Sequence, residues 1–474
     1  MAIQEAAVQA PAKKDKGFKK VMRGLDMTLF TVCAILVMDT LAPSASIGPA
    51  SISWWLITLV LFFIPYGLIT AELGTTYPDQ GGLYIWVKKA FGEKWAARTT
   101  WLYWINVALW MPSVYVLFAG MFAQLFAPEM GLWGQIAIGV VMTWITVGIG
   151  IMSLETSKWV PNIGAIFKAL IMVVIGVAAF IFAGKNGVAN DLSFSSILPT
   201  WDAGLFFLPV IVYNFMGFEL MSGAGDEMEN PGRDIPKAII TAGLLITVFY
   251  LLGTVGMLMA VPVEDLGLVE GIIDTLRVLL GESQAANIAV TVLGIGALYS
   301  FLANMVTWTM GANRTAAEAA SDNELPQIFG KLHAQYKTPV SAFIITGVVS
   351  TVVIVLYGFM AGSAEDLFWT LFAFSSMVFL MPYLALFPAF LKLRKTDPHA
   401  ERPYRVPGGH TFASILVVIC EIFIIQGIVF FIWVPGEPID WAFAAPVLIG
   451  VALTLIVGEV LLNVAAKEKK LNGQ

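Results

Sequence analysis

Val37-Met38-Asp39-Thr40-Leu41-Ala42-Pro43-Ser44-Ala45-Ser46-Ile47-Gly48-Pro49 interrupts an apolar run with an acid, hydroxyls, prolines and a glycine. Asp39 lies 16 residues beyond Arg23, roughly 24 Å along a helix, so the interruption falls at mid-membrane depth. A second apolar run is broken in the same manner, at Pro209-Val210-Ile211-Val212-Tyr213-Asn214-Phe215-Met216-Gly217-Phe218-Glu219-Leu220-Met221-Ser222-Gly223-Ala224-Gly225. A helix broken in hydrocarbon exposes free N–H groups at one half-end and free C=O groups at the other. The first attract a carboxylate and the second an ammonium.

Around these breaks the chain reads as membrane-embedded throughout. Of its 474 residues, 58% are hydrophobic and 13% charged, and its mean hydropathy is +0.80. A soluble chain carries about a quarter charged residues. Apolar runs fall near 27–50, 53–76, 97–126, 133–153, 160–184, 203–226, 237–261, 286–312, 339–361, 366–391, 411–434 and 442–466. Backbone in lipid must satisfy its own hydrogen bonds, so these twelve runs are expected to be helices. The expected domains are a polar tail at 1–22, one transmembrane unit at 23–466 and a short tail at 467–474. Of the 27 Lys and Arg residues, all but Lys185 and Arg277 fall on one side of that topology. The positive-inside rule then places both termini in the cytoplasm and the chain in a cytoplasmic membrane. Acids such as Glu264, Asp265, Glu270, Asp274, Glu365 and Asp440 mark the other side.

The broken runs are the first and the sixth. A repeat of five spans inverts its second copy, which is the layout of carriers that bind solute at the repeat interface. Among the ionisable residues within the runs three stand out: Asp39, Lys168 and Glu219. Each is costly there and is a candidate for function. Asp39 can bind an amine or a proton, or cap the half-helix after it. Lys168 can pair with Asp39, donate to the carbonyls freed in the first run, or snorkel to the interface. Glu219 can gate or exchange protons, or hydrogen-bond neighbouring helices. Tyr213, Phe215, Phe218 and Trp308 lie deep enough to stack on a solute or gate it, while Trp54, Trp55, Trp101, Trp104, Trp433 and Trp441 near run ends read as interfacial belt. Cys33 and Cys420 lie in apolar runs as packing residues, and His333, His399 and His410 have no metal-ligand spacing. No cofactor, nucleic-acid stripe or nucleophile constellation is expected.

Asp226-Glu227-Met228-Glu229-Asn230-Pro231-Gly232-Arg233-Asp234-Ile235-Pro236 follows Gly217-Phe218-Glu219. With Gly311-Ala312-Asn313-Arg314, Asp322-Asn323-Glu324-Leu325-Pro326 and Arg402-Pro403-Tyr404-Arg405-Val406-Pro407-Gly408-Gly409, it resembles the amino acid–polyamine–organocation transporter superfamily. The first span, lacking the usual glycine-rich signature, is more similar to the glutamate/γ-aminobutyrate antiporter branch, without that branch's long C-terminal plug. The resemblance implies an all-α membrane protein of the LeuT-type fold: twelve transmembrane helices, with two inverted five-helix repeats (spans 1–5 and 6–10) and two extra helices. It implies that Lys168, six residues after Asn162, stands where sodium sits in sodium-coupled relatives, hence sodium-independent exchange or proton symport.

The expected function is alternating-access transport of an amino acid or derived amine, with a uniporter or channel for a small organic cation as the alternative. The expected partners are the solute and the lipid bilayer, for a monomer or homodimer. Asp39, Thr40, Ala42, Pro43, Ser44, Ser46, Tyr213, Asn214, Phe215, Met216, Gly217, Phe218 and Trp308 are expected at the solute, and Lys168 and Glu219 in coupling.

Overall fold

The fold is that of a computed structural model, which describes residues 23–79, 81–152, 159–200 and 203–471. The lysine-rich tail at 1–22, Lys158 and the last three residues lie outside the described residues. The chain is a helical, multi-pass membrane protein with no β-strand among the described residues.

The first run forms α1 (Gly24–Ile35) and a one-turn α2 (Leu41–Ala45), separated by irregular backbone. The helices α3 (Ser51–Thr76), α5 (Glu93–Phe126), α6 (Leu132–Ile151) and α7 (Trp159–Asn186) follow, with the short α4 (Leu83–Phe91) between α3 and α5. The sixth run is a short α8 (Leu208–Asn214), a break at Phe215–Gly217 and a 3₁₀ stretch from Phe218 to Glu227. After it come α9 (Pro231–Ala260), α10 (Gly271–Leu280), α11 (Gln284–Ser321), α12 (Val340–Gly358), α13 (Ala364–Thr396), α14 (Gly409–Phe430) and α15 (Trp441–Leu471). Eleven stretches among the described residues are long and apolar enough to cross a bilayer, the Leu205–Ser222 segment around α8 included. By itself α1 is shorter than a crossing.

α5 runs through the centre, buried on nearly all sides, and packs against α11 and α13. α1 lies among α7, α9 and α11. On the lipid side, α14 and α15 expose Ile415, Val418, Ile422, Leu453, Ile456 and Val460. A helix apolar all round is stable there because lipid covers what protein does not.

Three tryptophans expected at the interface are instead internal. Trp55 is stacked on Tyr250 with centroids 4.5 Å apart, Trp101 Nε1 donates to the Thr454 carbonyl at 3.0 Å, and Trp104 Nε1 donates to Asn313 Oδ1 at 2.8 Å. Other helices cover these span ends, so position near an end gave depth but not exposure. Trp433 and Trp441 are exposed. α10 also departs from the expected acidic connection: its Ile272, Ile273 and Leu276 are buried, while its polar face carries the acids.

The break after α1 is closed by side chains. Tyr250 on α9 donates to the Ile35 carbonyl at 2.5 Å and accepts from the Val37 N–H at 2.8 Å. Tyr250→Phe therefore removes two buried hydrogen bonds and leaves these groups only their own bond, Val37 N–H to the Ile35 carbonyl at 2.9 Å, at about 1 kcal/mol for each bond lost. Thermal melting of the detergent-solubilised variant should show a clear loss of stability. A wild-type melting curve would mean that the break does not depend on Tyr250.

Candidate functional site

The last carbonyls of α1 have no helical partner, because Leu36–Thr40 leave the helix. Each of three receives a side-chain donor. Lys168 Nζ, on α7, donates to the Cys33 carbonyl at 2.6 Å and to Asn304 Oδ1 on α11 at 2.9 Å. Trp308 Nε1, also on α11, donates to the Ala34 carbonyl at 3.0 Å. Tyr250 takes Ile35. Lys168 is buried, so snorkelling is excluded in this conformation. Of its two other readings, the structure shows donation to the freed carbonyls; among the described residues no ion pair joins it to Asp39.

Asp39 lies in the break. Its Oδ2 accepts from Trp110 Nε1 at 3.2 Å, and its Oδ1 is buried with no hydrogen-bond partner. Thr40, at the N-cap of α2, makes no side-chain cap bond, and Asp39 makes none either. Trp110 stands edge-on to both Tyr213 and Trp308, with centroids 5.7 Å away in each case. Phe379 on α13 closes the ring, 5.3 Å from Tyr213 and 5.2 Å from Trp308. The four rings form an aromatic box beside the free carboxylate oxygen.

Other buried polar atoms near the box are also unpaired: Tyr213 Oη, both amide atoms of Asn106, and Ser376 Oγ. Asn106 lies one turn from both Tyr103 and Trp110 on α5. Ser376 lies one turn from both Phe372, which packs edge-on against Tyr213, and Phe379. Buried polar groups are seldom left so. Several of them together, beside an open carboxylate oxygen and π-faces, make a site with an unmet demand for hydrogen-bond partners of both kinds and for positive charge.

Two further clusters tie the breaks together. Asn214 accepts from Thr40 Oγ1 and donates to Ser44 Oγ at 3.0 Å, linking α8 to α2. Ser44 in turn donates to the Thr40 carbonyl at 2.7 Å and Ser46 to the Ala42 carbonyl at 3.0 Å. At the second break, Glu219 accepts from Tyr103 at 2.9 Å, from Tyr383 at 2.6 Å and from Tyr66. Tyr66 also accepts the Gly217 and Phe218 N–H groups, at 3.0 and 3.1 Å.

The structure therefore brings Asp39, Tyr213 and Trp308 together at one box and holds Thr40, Ser44 and Asn214 in a network beside it. It places others elsewhere. Phe215 stacks on Phe63 with centroids 4.2 Å apart and stands edge-on to Trp55. Phe218 stacks on the other side of the same ring. Ala42 faces α10, its Cβ 3.0 Å from where a Cβ on Gly271 would lie. Pro43 and Met216 are buried. Glu219 is enclosed by tyrosines rather than open to the box. Trp110, Asn106, Ser376 and Phe379 were not expected from the sequence. Only the aromatic and amide content of α5 hints at the first two, and a helix buried on every side has no polar face for contrast.

Buried ionisable groups at two interrupted helices, inside a multi-pass helical membrane protein, define a membrane transporter rather than an enzyme. The chain belongs to the amino acid permease family of the amino acid–polyamine–organocation superfamily, whose pattern it matches over residues 24–457. It is 33% identical to a probable agmatine/putrescine antiporter of Lactococcus lactis subsp. lactis, over 92% of this chain and 93% of that one. It is 27% identical to an uncharacterized transporter of Legionella pneumophila, over 90% and 97%. A probable polyamine transporter of Arabidopsis thaliana is 24% identical over 78% and 70%.

Gly217 is held at φ +123°, and a Cβ there would meet Trp308 Cζ2 at 3.1 Å and Ile35 Cγ1 at 3.2 Å. Gly217→Ala should thus strain the backbone and push Trp308 from the Ala34 carbonyl. The expected result is transport reduced at least tenfold with the protein still folded, about 1.4 kcal/mol or more. Uptake at wild-type rate would show that the bare Cα is not needed.

Proposed function

We propose that this transporter moves an amino-acid-derived amine, with the ammonium on Asp39 Oδ1 and against the faces of Trp110, Tyr213 and Trp308. The observation that carries this reading is the buried carboxylate oxygen left without a partner inside an aromatic box. A cation supplies both the missing donor and the charge that the rings attract. Asn106, Ser376 and the Tyr213 hydroxyl then meet the solute's other polar end. The names of two relatives, an agmatine/putrescine antiporter and a polyamine transporter, agree with an amine.

α1 and α2 together form a first crossing and bring the count to twelve, with spans 1–5 and 6–10 as inverted repeats and both termini in the cytoplasm. The site residues are buried on all sides, as an occluded stage of alternating access requires. Exchange of one amine for another fits a site that cannot hold its charge uncompensated: the return step goes with a second cation, either an amine or a proton on Asp39. The Lys168 side chain bridges α1 and α11 through the Cys33 carbonyl and Asn304 Oδ1, so no metal cation is needed to join them, and transport is accordingly sodium-independent.

Counterflow in proteoliposomes tests the substrate. Preloaded putrescine or agmatine should drive uptake of the labelled amine, and a chain inert to every amine and amino acid would sink the proposal. Asp39→Asn keeps the shape and removes the charge. It should weaken amine binding roughly 100-fold, about 3 kcal/mol, and unchanged affinity would take Asp39 out of the site. Replacing external sodium by choline should leave the wild-type rate intact; a sodium requirement would contradict the role given to Lys168.

A further inference from the structure

An apolar groove of about 300 Å³ lies between α3 and α9 on the outer face of the bundle. Leu59, Ile64, Gly67, Ile239, Gly243 and Leu244 line it, with Phe218 at its floor and Tyr404 at one end. Its rim carries Ile240 and Leu244, exposed by 68% and 70%. At this depth the surroundings of an exposed apolar side chain are acyl chains.

Two features separate it from ordinary annular surface. It is concave because Gly67 and Gly243 have no side chain: a Cβ on Gly67 would meet the Phe218 ring at 3.2 Å, and one on Gly243 would meet Phe63 at 3.4 Å. α3 also takes a π-helical turn at Leu59–Phe63 just beside it, a local widening that often marks functional sites.

The groove's end points to a particular lipid. Pro236 and Tyr404 line it, and the next residue in each case is a cation, Lys237 and Arg405. Lys237, Ile240 and Leu244 share one stripe of α9. Arg233 precedes Lys237 by one turn. All three cations are exposed, and none forms an ion pair among the described residues. Asp234, between them in sequence, is turned toward Gly24 of α1, its Cγ 3.4 Å from where a Cβ there would lie. Free positive charge at the basic end of an apolar groove matches a lipid with an anionic headgroup.

We propose that the groove binds one anionic phospholipid, its phosphate at Lys237 and Arg405 and an acyl chain against Phe218. The lipid thereby touches the residue that follows the break in the sixth run.

The test uses the full-length protein in detergent with dioleoyl phosphatidylglycerol or dioleoyl phosphatidylcholine added, read as melting temperature. Phosphatidylglycerol should raise it more than phosphatidylcholine does, by mass action on a specific site. Leu244→Trp, which fills the groove from its exposed rim, should abolish that difference. Lys237→Gln with Arg405→Gln should make the two lipids equivalent. Glycerol 3-phosphate alone should give no shift. Equal responses of the wild type to both lipids, a full phosphatidylglycerol response in Leu244→Trp, or a shift with glycerol 3-phosphate would each overturn the proposal. A phosphatidylglycerol carrying a photoactivatable acyl chain tests the wild type without any variant. Its adducts should concentrate on residues 59–71 and 236–247, and an even spread over the lipid-facing helices would also overturn it.

Discussion

Three carbonyl oxygens at the end of α1, those of Cys33, Ala34 and Ile35, cannot be satisfied by the helix that bears them. In water they would be solvated; in hydrocarbon each needs a protein donor. Lys168, Trp308 and Tyr250 supply those donors from α7, α11 and α9. The broken helix is thus a junction of four helices, held by polar bonds in an otherwise apolar bundle. Because the donors are side chains rather than backbone, the junction fixes which helices pack around α1. It also keeps the backbone after Ile35 irregular, and that irregularity carries Asp39 into the interior.

The buried carboxylates at the two breaks, Asp39 and Glu219, are treated in opposite ways. Glu219 accepts from three tyrosine hydroxyls and has little left to offer a ligand. Asp39 has one partner on Oδ2 and none on Oδ1. A charge buried without compensation is expensive, and a satisfied one is a fixture. Glu219 accordingly reads as a hub joining α3, α5 and α13 to the second break, while Asp39 keeps one carboxylate oxygen free. Lys168 belongs with Glu219 in this respect, since its donors are engaged with Cys33 and Asn304.

The ionisable residues were legible in the sequence because a charge in an apolar run stands out, and Asp39, Lys168 and Glu219 were found that way. So was the discontinuity at each break, from Pro43, Gly48 and Gly217. What the sequence could not show was choice of partner. Lys168 had three plausible ends, and which one it takes depends on how α7 packs against α1. Trp110, Asn106, Ser376 and Phe379 lie on helices so deeply buried that no polar face distinguishes one side from another. The same limit misplaced Trp55, Trp101 and Trp104: hydropathy reports depth in the bilayer, whereas exposure depends on neighbours far away in the chain. Helix α10 was hidden by its own charges, since an amphipathic helix lying on the bundle and an acidic loop have similar composition.

Gly217, Phe218 and Glu219 are consecutive, yet they face three different environments. Gly217 presents a bare Cα to Trp308 and Ile35 beside the aromatic box. Phe218 turns its ring toward Phe63 and the lipid-facing groove. Glu219 points into the tyrosine cage. One hydroxyl, that of Tyr66, binds the first two N–H groups and the third residue's carboxylate together. Any rotation of this tripeptide must therefore break or carry all of those bonds at once. The backbone at Gly217 cannot turn while Phe218 and Glu219 stay as they are, because the three are consecutive and share the Tyr66 hydroxyl. The second break thus joins the aromatic box, the tyrosine cage and the lipid-facing groove through the hydrogen bonds of a single tyrosine.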